Sequence, residues 1–249
     1  MRIHMIACRV LSRELGYLAS QSENIVDITW VRQGLHDTPE LLRRNLQNTM
    51  AELNVYFMAD EKGAHVRPDY FALGYGLCSN GVVGVEAGDI PIVVPRTDDC
   101  IALLLGSQQR YLELFRQNSG IYWISSGWLE SGLRDRIAEK ERKYQAYTGR
   151  YGEEAAKELV AAEYAWMQEY NTYGYIDSPI YKNAAYPKTA KAHARKYGWR
   201  FERFGGDARL LTMLVNGDWD EKEFLVCPPH HRIAAAYDGS KIRAVPIES

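Results

Sequence analysis

Short apolar runs alternate with helical patterns along the chain, and this alternation predicts most of its secondary structure. Residues 3–7 form the first apolar run, and residues 25–31 form a second one that is rich in β-branched and aromatic side chains. Such runs are typical of strands. The triplet Thr38-Pro39-Glu40 predicts the start of a helix, because threonine can cap a helix and proline suits its first position.

Later segments repeat this strand-like character, at residues 70–75, 90–94, 121–125, 173–176 and 224–226. Helical patterns separate them, including two around residues 189–197 and 208–215. A regular β-α-β-α order favours a parallel sheet with right-handed crossovers. We therefore expect an α/β fold: a three-layer, mostly parallel (Rossmann-like) sheet with helices on both faces.

One charged segment, residues 133–170, interrupts this rhythm. Its apolar residues follow a helical stripe, and Gly149 and Gly152 are expected to divide it into two helices. We therefore predict an inserted helical segment beside the sheet.

The length of the chain, 249 residues, is enough for one large α/β domain. A core of that size needs neither a disulfide nor a metal in order to fold. We expect a single domain over residues 1–249. The alternative of two related halves, residues 1–132 and 171–249 around the insertion, stays open.

Charge and hydropathy narrow the range of partners. The 30 lysine and arginine residues against 32 acidic residues give a net charge of −2. The sequence therefore lacks the excess of basic residues that would indicate binding to nucleic acid or to an anionic membrane. No apolar run approaches the roughly 20 residues of a membrane helix. Too few residues precede Cys8 for a secretory signal peptide. We therefore expect a cytoplasmic protein.

Four cysteines are too few for a disulfide scaffold, but the positions of three of them are informative. Cys8, Cys78 and Cys100 each follow a predicted strand. Because the carboxyl ends of parallel strands meet at one edge of a sheet, we expect these thiols to converge. Thiolates bind zinc and iron–sulfur clusters, so we predict a metal site whose cofactor is zinc or a 4Fe–4S cluster. Buried cysteines also act as plain core residues, the role that we favour for Cys227.

Three polar residues after the strands are candidates for catalysis. His36 follows the second strand and is a candidate for a fourth metal ligand or for proton transfer, although a loop histidine bonded to Asp37 is an equal alternative. Arg96 and Asp99 follow the fourth strand and are candidates for anion binding or acid–base chemistry. The alternative for this segment is a helix cap with a surface ion pair.

The loop at residues 74–81 (GYGLCSNG) follows the third strand. It resembles a dinucleotide-binding loop but lacks the third glycine at the required offset. Within it, Gly76, Ser79 and Asn80 are candidates for holding a cofactor. Trp128, after the fifth strand, is a candidate for shaping the same pocket. Walker-type and GxSxG motifs are absent from the sequence.

Several segments together resemble those of a known family. They lie at residues 6–11 (IACRVL), 13–15 (REL), 33–39 (QGLHDTP), 74–81 (GYGLCSNG), 95–101 (PRTDDCI), 105–107 (LGS), 127–128 (GW) and 216–219 (NGDW). In this combination the chain resembles, over most of its length, the prokaryotic domain-of-unknown-function family numbered 1638. The pattern of that family falls here on Cys8, His36, Cys78 and Cys100.

The resemblance implies a cytoplasmic protein of anaerobic metabolism, since such relatives are often encoded near corrinoid-dependent methyltransferases for methylamines and betaines. It does not imply a mechanism. The DxHxxG cobalamin signature is absent from this sequence, so we do not expect the chain to be the corrinoid carrier itself.

Two functions of different classes follow as hypotheses. The first is a metal- or iron–sulfur-dependent enzyme that acts on a small molecule in anaerobic one-carbon or methylamine metabolism. The second is a non-catalytic accessory protein that binds a corrinoid, a metal or a methylated amine for a partner methyltransferase. Whether the protein is an enzyme stays open here, as does a thiol-based redox or structural role without a metal.

A dense aromatic stretch bears on the accessory hypothesis, because aromatic cages bind quaternary ammonium groups through cation–π attraction. Its members are Tyr164, Trp166, Tyr170, Tyr173 and Tyr175. Core or interface packing is the alternative that we favour for them.

Overall fold

A computed structural model describes residues 1–58, 66–132 and 135–247 of the chain. The fold is mixed α/β, with a mostly parallel central sheet and helices around it, so the predicted Rossmann-like class is confirmed. Within the described residues, no helix combines the length and the apolar character that crossing a membrane requires.

The strands, in chain order, are β1 (Arg2–Cys8), β2 (Ile25–Val31), β3 (Tyr70–Gly74), β4 (Ile92–Pro95), β5 (Ile121–Ser125), β6 (Thr172–Asp177), β7 (Arg200–Gly205), β8 (Phe224–Cys227), β9 (His231–Ala235) and β10 (Ile242–Pro246). The α-helices are α1 (Ser12–Gln21), α2 (Pro39–Met58), α3 (Cys100–Leu104), α4 (Gln108–Gln117), α5 (Ser126–Glu130), α6 (Arg136–Tyr151), α7 (Glu153–Glu163), α8 (Ala185–Tyr197) and α9 (Arg209–Asn216). The predicted helix after Thr38 therefore begins at Pro39.

The chain forms two compact units. The first contains Met1–Tyr111, Ser178–Lys182 and Gly205–Ser249, and the second contains Leu112–Asp177 and Asn183–Phe204. The first unit carries a five-stranded sheet and the β9–β10 hairpin, and the second carries the sheet of β5, β6 and β7. The expectation of a single domain, or of two related halves, stays a prediction.

The five-stranded sheet has the order β2-β1-β3-β4-β8. β1 pairs in parallel with β2 and β3, and β3 with β4, whereas β8 runs antiparallel to β4. All four residues of β4 are buried, and so are Ile3, Met5 and Ile6 of β1. Such nearly unbroken apolar strands are typical of a sheet covered on both faces.

Gly74 lets β3 lie very close to β1 at the carboxyl end of the sheet. A β-carbon at this position would lie 2.5 Å from the β-carbon of Ala7 and 3.2 Å from Leu15 Cδ1. Only glycine leaves room for this approach. As a consequence, the loop after β3 starts directly beside the end of β1.

The strand at residues 121–125 corrects one expectation. It forms β5, but it pairs in parallel with β6 in the second unit and does not join the five-stranded sheet. Residues that follow β5 and β6 therefore belong to a different sheet edge from those that follow β1, β3 and β4. Apolar patterning identifies a strand without identifying its partner.

The predicted helical segment is present as α6 and α7, divided at Gly152, whose φ of +85° suits glycine. Gly149 lies inside α6 and does not break it. The first two residues of the predicted segment, 133 and 134, lie outside the described residues.

Candidate functional site: a buried cluster of three thiols

Three cysteines meet at the carboxyl edge of the parallel strands in the first unit. Cys8 is the last residue of β1, Cys78 lies in the turn after β3, and Cys100 begins α3 after β4. Because β1, β3 and β4 are neighbouring parallel strands, their carboxyl ends lie side by side. The sheet thus brings together three residues that are far apart in sequence.

The three sulfur atoms are in contact through Cys100. Cys78 Sγ lies 4.0 Å from Cys100 Sγ, and the thiol of Cys8 is a hydrogen-bond partner of Cys100. All three cysteines are free, and each is only 5–6% exposed. We call Cys8, Cys78 and Cys100 the thiol cluster.

The sequence predicts that the thiol cluster binds a metal. Across residues 1–58, 66–132 and 135–247, no group of three or more histidine, cysteine or acidic side chains is placed to hold a metal ion. The metal-binding role of the three cysteines therefore stays a prediction.

Cys78 is held in an unusual turn. Cys78, Ser79 and Asn80 have φ values of 45°, 61° and 64°, so three consecutive non-glycine residues occupy the left-handed region. Each such residue costs about 1–2 kcal/mol relative to the right-handed conformation. The turn is anchored to the loop before α3, because the amide of Cys78 donates to the carbonyl oxygen of Asp98 at 2.9 Å.

Gly76 permits this contact between the two loops. A β-carbon there would lie 2.6 Å from Thr97 Oγ1 and 2.7 Å from both the Asp99 nitrogen and the Thr97 oxygen. Two of these three atoms belong to the backbone and cannot swing away. Gly76, predicted to hold a cofactor, thus has a packing role that brings the loop of Cys78 against that of Cys100.

Cys100 is placed by the cap of α3. The side chain of Asp99 accepts hydrogen bonds from the amides of Ile101, at 2.8 Å, and Ala102, at 3.4 Å. This is the N-cap arrangement that the sequence left open as an alternative for the segment. Burial raises the pKa of Asp99, while the two amide bonds and the nearby His36 oppose that rise.

Cys8 and Cys100 differ in their readiness to ionise. A hydrogen bond from Cys100 is the main reason that the pKa of Cys8 lies below its ordinary value, and the Val10 amide and the Tyr75 hydroxyl add to it while burial opposes it. The pKa of Cys100 lies well above its ordinary value, because its contacts with Cys78 and Cys8 and its burial favour the protonated thiol. Cys8 therefore ionises more readily than Cys100.

Tyr75 belongs to this site, although the sequence did not single it out. Its side chain is 3% exposed, and its hydroxyl interacts with Cys8. Burial first, and then the charges of Cys8, Cys100 and Cys78, raise its pKa far above the ordinary value. The hydroxyl therefore stays protonated and faces the sulfurs as a donor. The position of this tyrosine between Gly74 and Gly76, at the end of a strand, was the sequence signal that could have identified it.

His36 lies in a short 3-10 helix after β2, at the same edge of the sheet. Its Nε2 lies 3.5 Å from Asp37 Oδ1, the contact that the sequence offered as the alternative to a ligand role. The side chain is 44% exposed, and its charge lowers the pKa of Asp99. His36 thus borders the site, and its roles as metal ligand or in proton transfer stay predictions.

Arg96 has a structural role that the acid–base hypothesis did not include. Its guanidinium donates to the carbonyl oxygens of Glu221, at 2.9 Å, and Phe224, at 3.1 Å, and also to those of Ser240 and Ile242. With its donors directed at four carbonyls, the side chain ties β8 and β10 to the end of β4. Its catalytic role stays a prediction.

The remaining cofactor candidates are dispersed. Ser79 and Asn80 form the exposed part of the left-handed turn. Trp128 lies in α5 of the second unit, packed against the cluster of Ile124 and Tyr173, so it does not follow a strand of the five-stranded sheet.

The aromatic stretch packs mainly against aromatic side chains outside it, Tyr122 and Trp199 among them. Tyr122 lies 5.5 Å from both Tyr170 and Tyr173, and Trp166 lies 5.6 Å from Tyr170, measured between ring centroids. Tyr173 is 1% exposed. These contacts are those of core packing, the alternative that the sequence favoured over a cage for a cationic ligand.

Cys227 lies away from the thiol cluster. It ends β8, but β8 is antiparallel, and Cys227 is paired in register with Ile92 at the start of β4. It is fully buried, and burial raises the pKa of its thiol to about 11. Because β8 runs antiparallel, Cys227 lies at the edge opposite the thiol cluster, buried as a core residue would be.

The chain is thus an α/β protein with a buried cluster of three thiols at the carboxyl edge of its five-stranded sheet. The model of the family DUF1638, described as a protein of unknown function, matches residues 30–215. The chain belongs to the DUF1638 family, as its sequence motifs suggested. No curated protein and no solved structure matches the chain.

Proposed function

We propose that the protein is a metal-dependent enzyme in which Cys8, Cys78 and Cys100 hold one thiolate-binding metal ion and leave a coordination position for a small-molecule substrate. The observation that carries this proposal is the contact of Cys100 with both Cys8 and Cys78, which brings together cysteines from three different strand ends. Because the chain is long enough to fold without a metal, such a site would serve chemistry more than stability.

The spacing of the sulfurs favours a single ion over a cluster. In a tetrahedral site with metal–sulfur bonds of about 2.3 Å, two thiolate sulfurs lie about 3.8 Å apart. Cys78 Sγ and Cys100 Sγ lie 4.0 Å apart, so small rotations of the side chains would bring both onto one ion. In a 4Fe–4S cluster each cysteine binds a different iron atom, which requires wider spacing. We therefore favour zinc among the two predicted cofactors.

Three protein ligands are typical of catalytic rather than structural zinc sites, because the fourth position is left to water or substrate. A zinc ion there would supply a Lewis acid that activates a bound water or thiol. Tyr75 would place a protonated hydroxyl beside the sulfurs. That the substrate belongs to anaerobic one-carbon or methylamine metabolism, and that the protein is cytoplasmic, are proposals that rest on the sequence resemblance alone.

The test is metal binding by the whole chain, purified without oxygen. After removal of bound metal with a chelator, we expect the protein to take up about one zinc ion per chain. The substitutions Cys8→Ala, Cys78→Ala and Cys100→Ala should each weaken zinc binding by at least tenfold. Cys227→Ala is the matched control and should bind like the wild type. Equal zinc binding in all four variants, or none in the wild type, would contradict the proposal.

Iron and acid-labile sulfide are measured in the same preparation before the metal is removed. A brown protein that contains both would indicate an iron–sulfur cluster in place of zinc and would overturn the single-ion assignment. A colourless preparation with neither iron nor sulfide is the expected result.

A further inference from the structure

Two members of the thiol cluster are close enough to become bonded to each other. Cys78 Sγ and Cys100 Sγ lie 4.0 Å apart with both thiols free. A disulfide needs a sulfur–sulfur distance of about 2.0 Å. The sulfurs would therefore have to approach by about 2 Å, which is within reach of side-chain rotation and a small shift of one loop.

We propose that Cys78 and Cys100 form a redox modification site, in which a peroxide oxidises the pair to a disulfide. Two thiols and one hydrogen peroxide give one disulfide and two water molecules. The two S–H bonds and the O–O bond break, and one S–S bond forms. Each sulfur loses one electron, and the peroxide takes up both electrons and both protons.

The turn that carries Cys78 is suited to the required shift. Its three consecutive residues have positive φ, a conformation that costs about 1–2 kcal/mol each, so a shift of the turn that returns them to ordinary φ values would release strain. Ser79 and Asn80 in the same turn are exposed, so the turn can move without opening the apolar core. Cys100, fixed in the first turn of α3, is the stationary partner.

Cys78 and Cys100 are equally exposed, at 6%, but their neighbours in the chain differ in exposure. Ser79 and Asn80, directly after Cys78, are exposed, so a small oxidant would approach the pair from this side. Cys100 is followed by four buried residues of α3, so access from that side is closed. Peroxide is small enough to reach a thiol that is 6% exposed.

This inference rests on the proposed function in one respect: the disulfide would remove two of the three metal ligands. Oxidation and metal binding would then exclude each other, and a bound metal would protect the thiols. The site would thus be switched off by peroxide and restored by a thiol reductant.

The experiment treats the metal-free whole chain with hydrogen peroxide under denaturant-free conditions and counts the remaining thiols. We expect a fall from the four thiols of the sequence to two, reversed by dithiothreitol. Peptide mapping by mass spectrometry should link the peptides of Cys78 and Cys100. The variants Cys78→Ala and Cys100→Ala should lose the cross-link, whereas Cys227→Ala should keep it.

A cross-link from Cys100 to Cys8, or irreversible oxidation to sulfinic acid without any cross-link, would overturn the assignment of the pair. The cross-link is measured without metal, so its outcome is independent of the proposed function. A protein that cross-links but binds no zinc would refute the metal proposal alone. A protein that binds zinc but does not cross-link would refute the redox site alone.

Discussion

The cysteines at the two edges of the five-stranded sheet have different surroundings. At the carboxyl edge of the parallel strands, Cys100 contacts both Cys8 and Cys78, and the pKa of Cys8 lies below its ordinary value while that of Cys100 lies well above it. At the other edge lies Cys227, and burial raises the pKa of its thiol to about 11. All four side chains are buried, so burial alone does not make a thiol part of a site.

Strand direction accounts for the difference. Each of the four cysteines ends or follows a strand of this sheet, but only β8 runs antiparallel. Reversal of that one strand moves the cysteine at its end to the edge where the parallel strands begin. The comparison teaches that convergence at a sheet edge, rather than the number of cysteines, separates a candidate site from core packing.

The largest effect is expected from Gly76→Ala, which acts on the carboxyl edge. Its β-carbon would meet backbone atoms of Thr97 and Asp99 at 2.7 Å, so the two loops must separate. We expect a loss of roughly 3 kcal/mol in the free energy of unfolding, the upper range for overpacking. Urea denaturation measures it, and Gly16→Ala is the control.

Gly16 lies in α1 with no atom within 4 Å of an added β-carbon. Replacing it by alanine should stabilise the protein by up to about 1 kcal/mol, because alanine is the better helix former. Equal effects of the two substitutions would show that the loops at the carboxyl edge are not tightly packed against each other.

How far the sequence predicted this edge can be judged from particular residues. The apolar runs predicted β1, β2, β3 and β4, and Pro39 marked the start of α2, because these signals are local. The convergence of Cys8, Cys78 and Cys100 followed from their positions after those strands.

What the sequence could not predict depends on long-range contacts. The separate sheet of β5 and the reversal of β8 follow from pairing partners that periodicity does not encode. The same holds for Arg96, whose four carbonyl partners lie more than 120 residues away along the chain. The β9–β10 hairpin was not predicted either, since its strands are short and only partly buried.

A second prediction concerns the hydrogen bonds that hold β8, the strand that carries Cys227. Arg96→Met should remove the hydrogen bonds that tie β8 and β10 to the end of β4 and leave their carbonyl oxygens without a donor. We expect a loss of about 2 kcal/mol in the free energy of unfolding.

Labelling of native thiols should then show faster reaction of Cys227 and little change at Cys100. The opposite pattern, with the thiol cluster opened and Cys227 unaffected, would show that Arg96 supports the candidate site after all.

A third prediction concerns the cap before Cys100. Asp99→Ala removes the acceptor of two amide hydrogen bonds and should cost about 1 kcal/mol of stability, whereas Asp99→Asn should cost much less, because asparagine is an equally good cap. Thermal unfolding at pH 7 compares the two variants. Similar losses in both would indicate that the charge of Asp99, rather than its capping oxygen, holds Cys100 in place.

The smallest effect is expected inside the sheet, away from either edge. His4 of β1 is buried, its Nε2 lies 2.9 Å from Thr29 Oγ1, and burial lowers its pKa while Asp27 opposes the shift. The unfolded chain, with a histidine pKa of about 6.5, then binds the proton before the folded chain does. Stability should therefore fall as the pH drops from about 6.5 through the folded pKa of His4.

Urea denaturation at pH 7.5 and pH 5.5 measures this change in the wild type and in His4→Gln. The loss of stability between the two pH values should be smaller in the variant. An unchanged loss would assign the pH dependence to other groups.

The most direct test of the central claim is the number of sulfur neighbours around a bound zinc ion, measured by X-ray absorption spectroscopy on the loaded whole chain. We predict a zinc–sulfur shell at about 2.3 Å with three sulfurs in the wild type and in Cys227→Ala, and with two in Cys78→Ala. A zinc ion without sulfur neighbours, or a sulfur count that falls only in Cys227→Ala, would contradict the assignment of the site to the carboxyl edge.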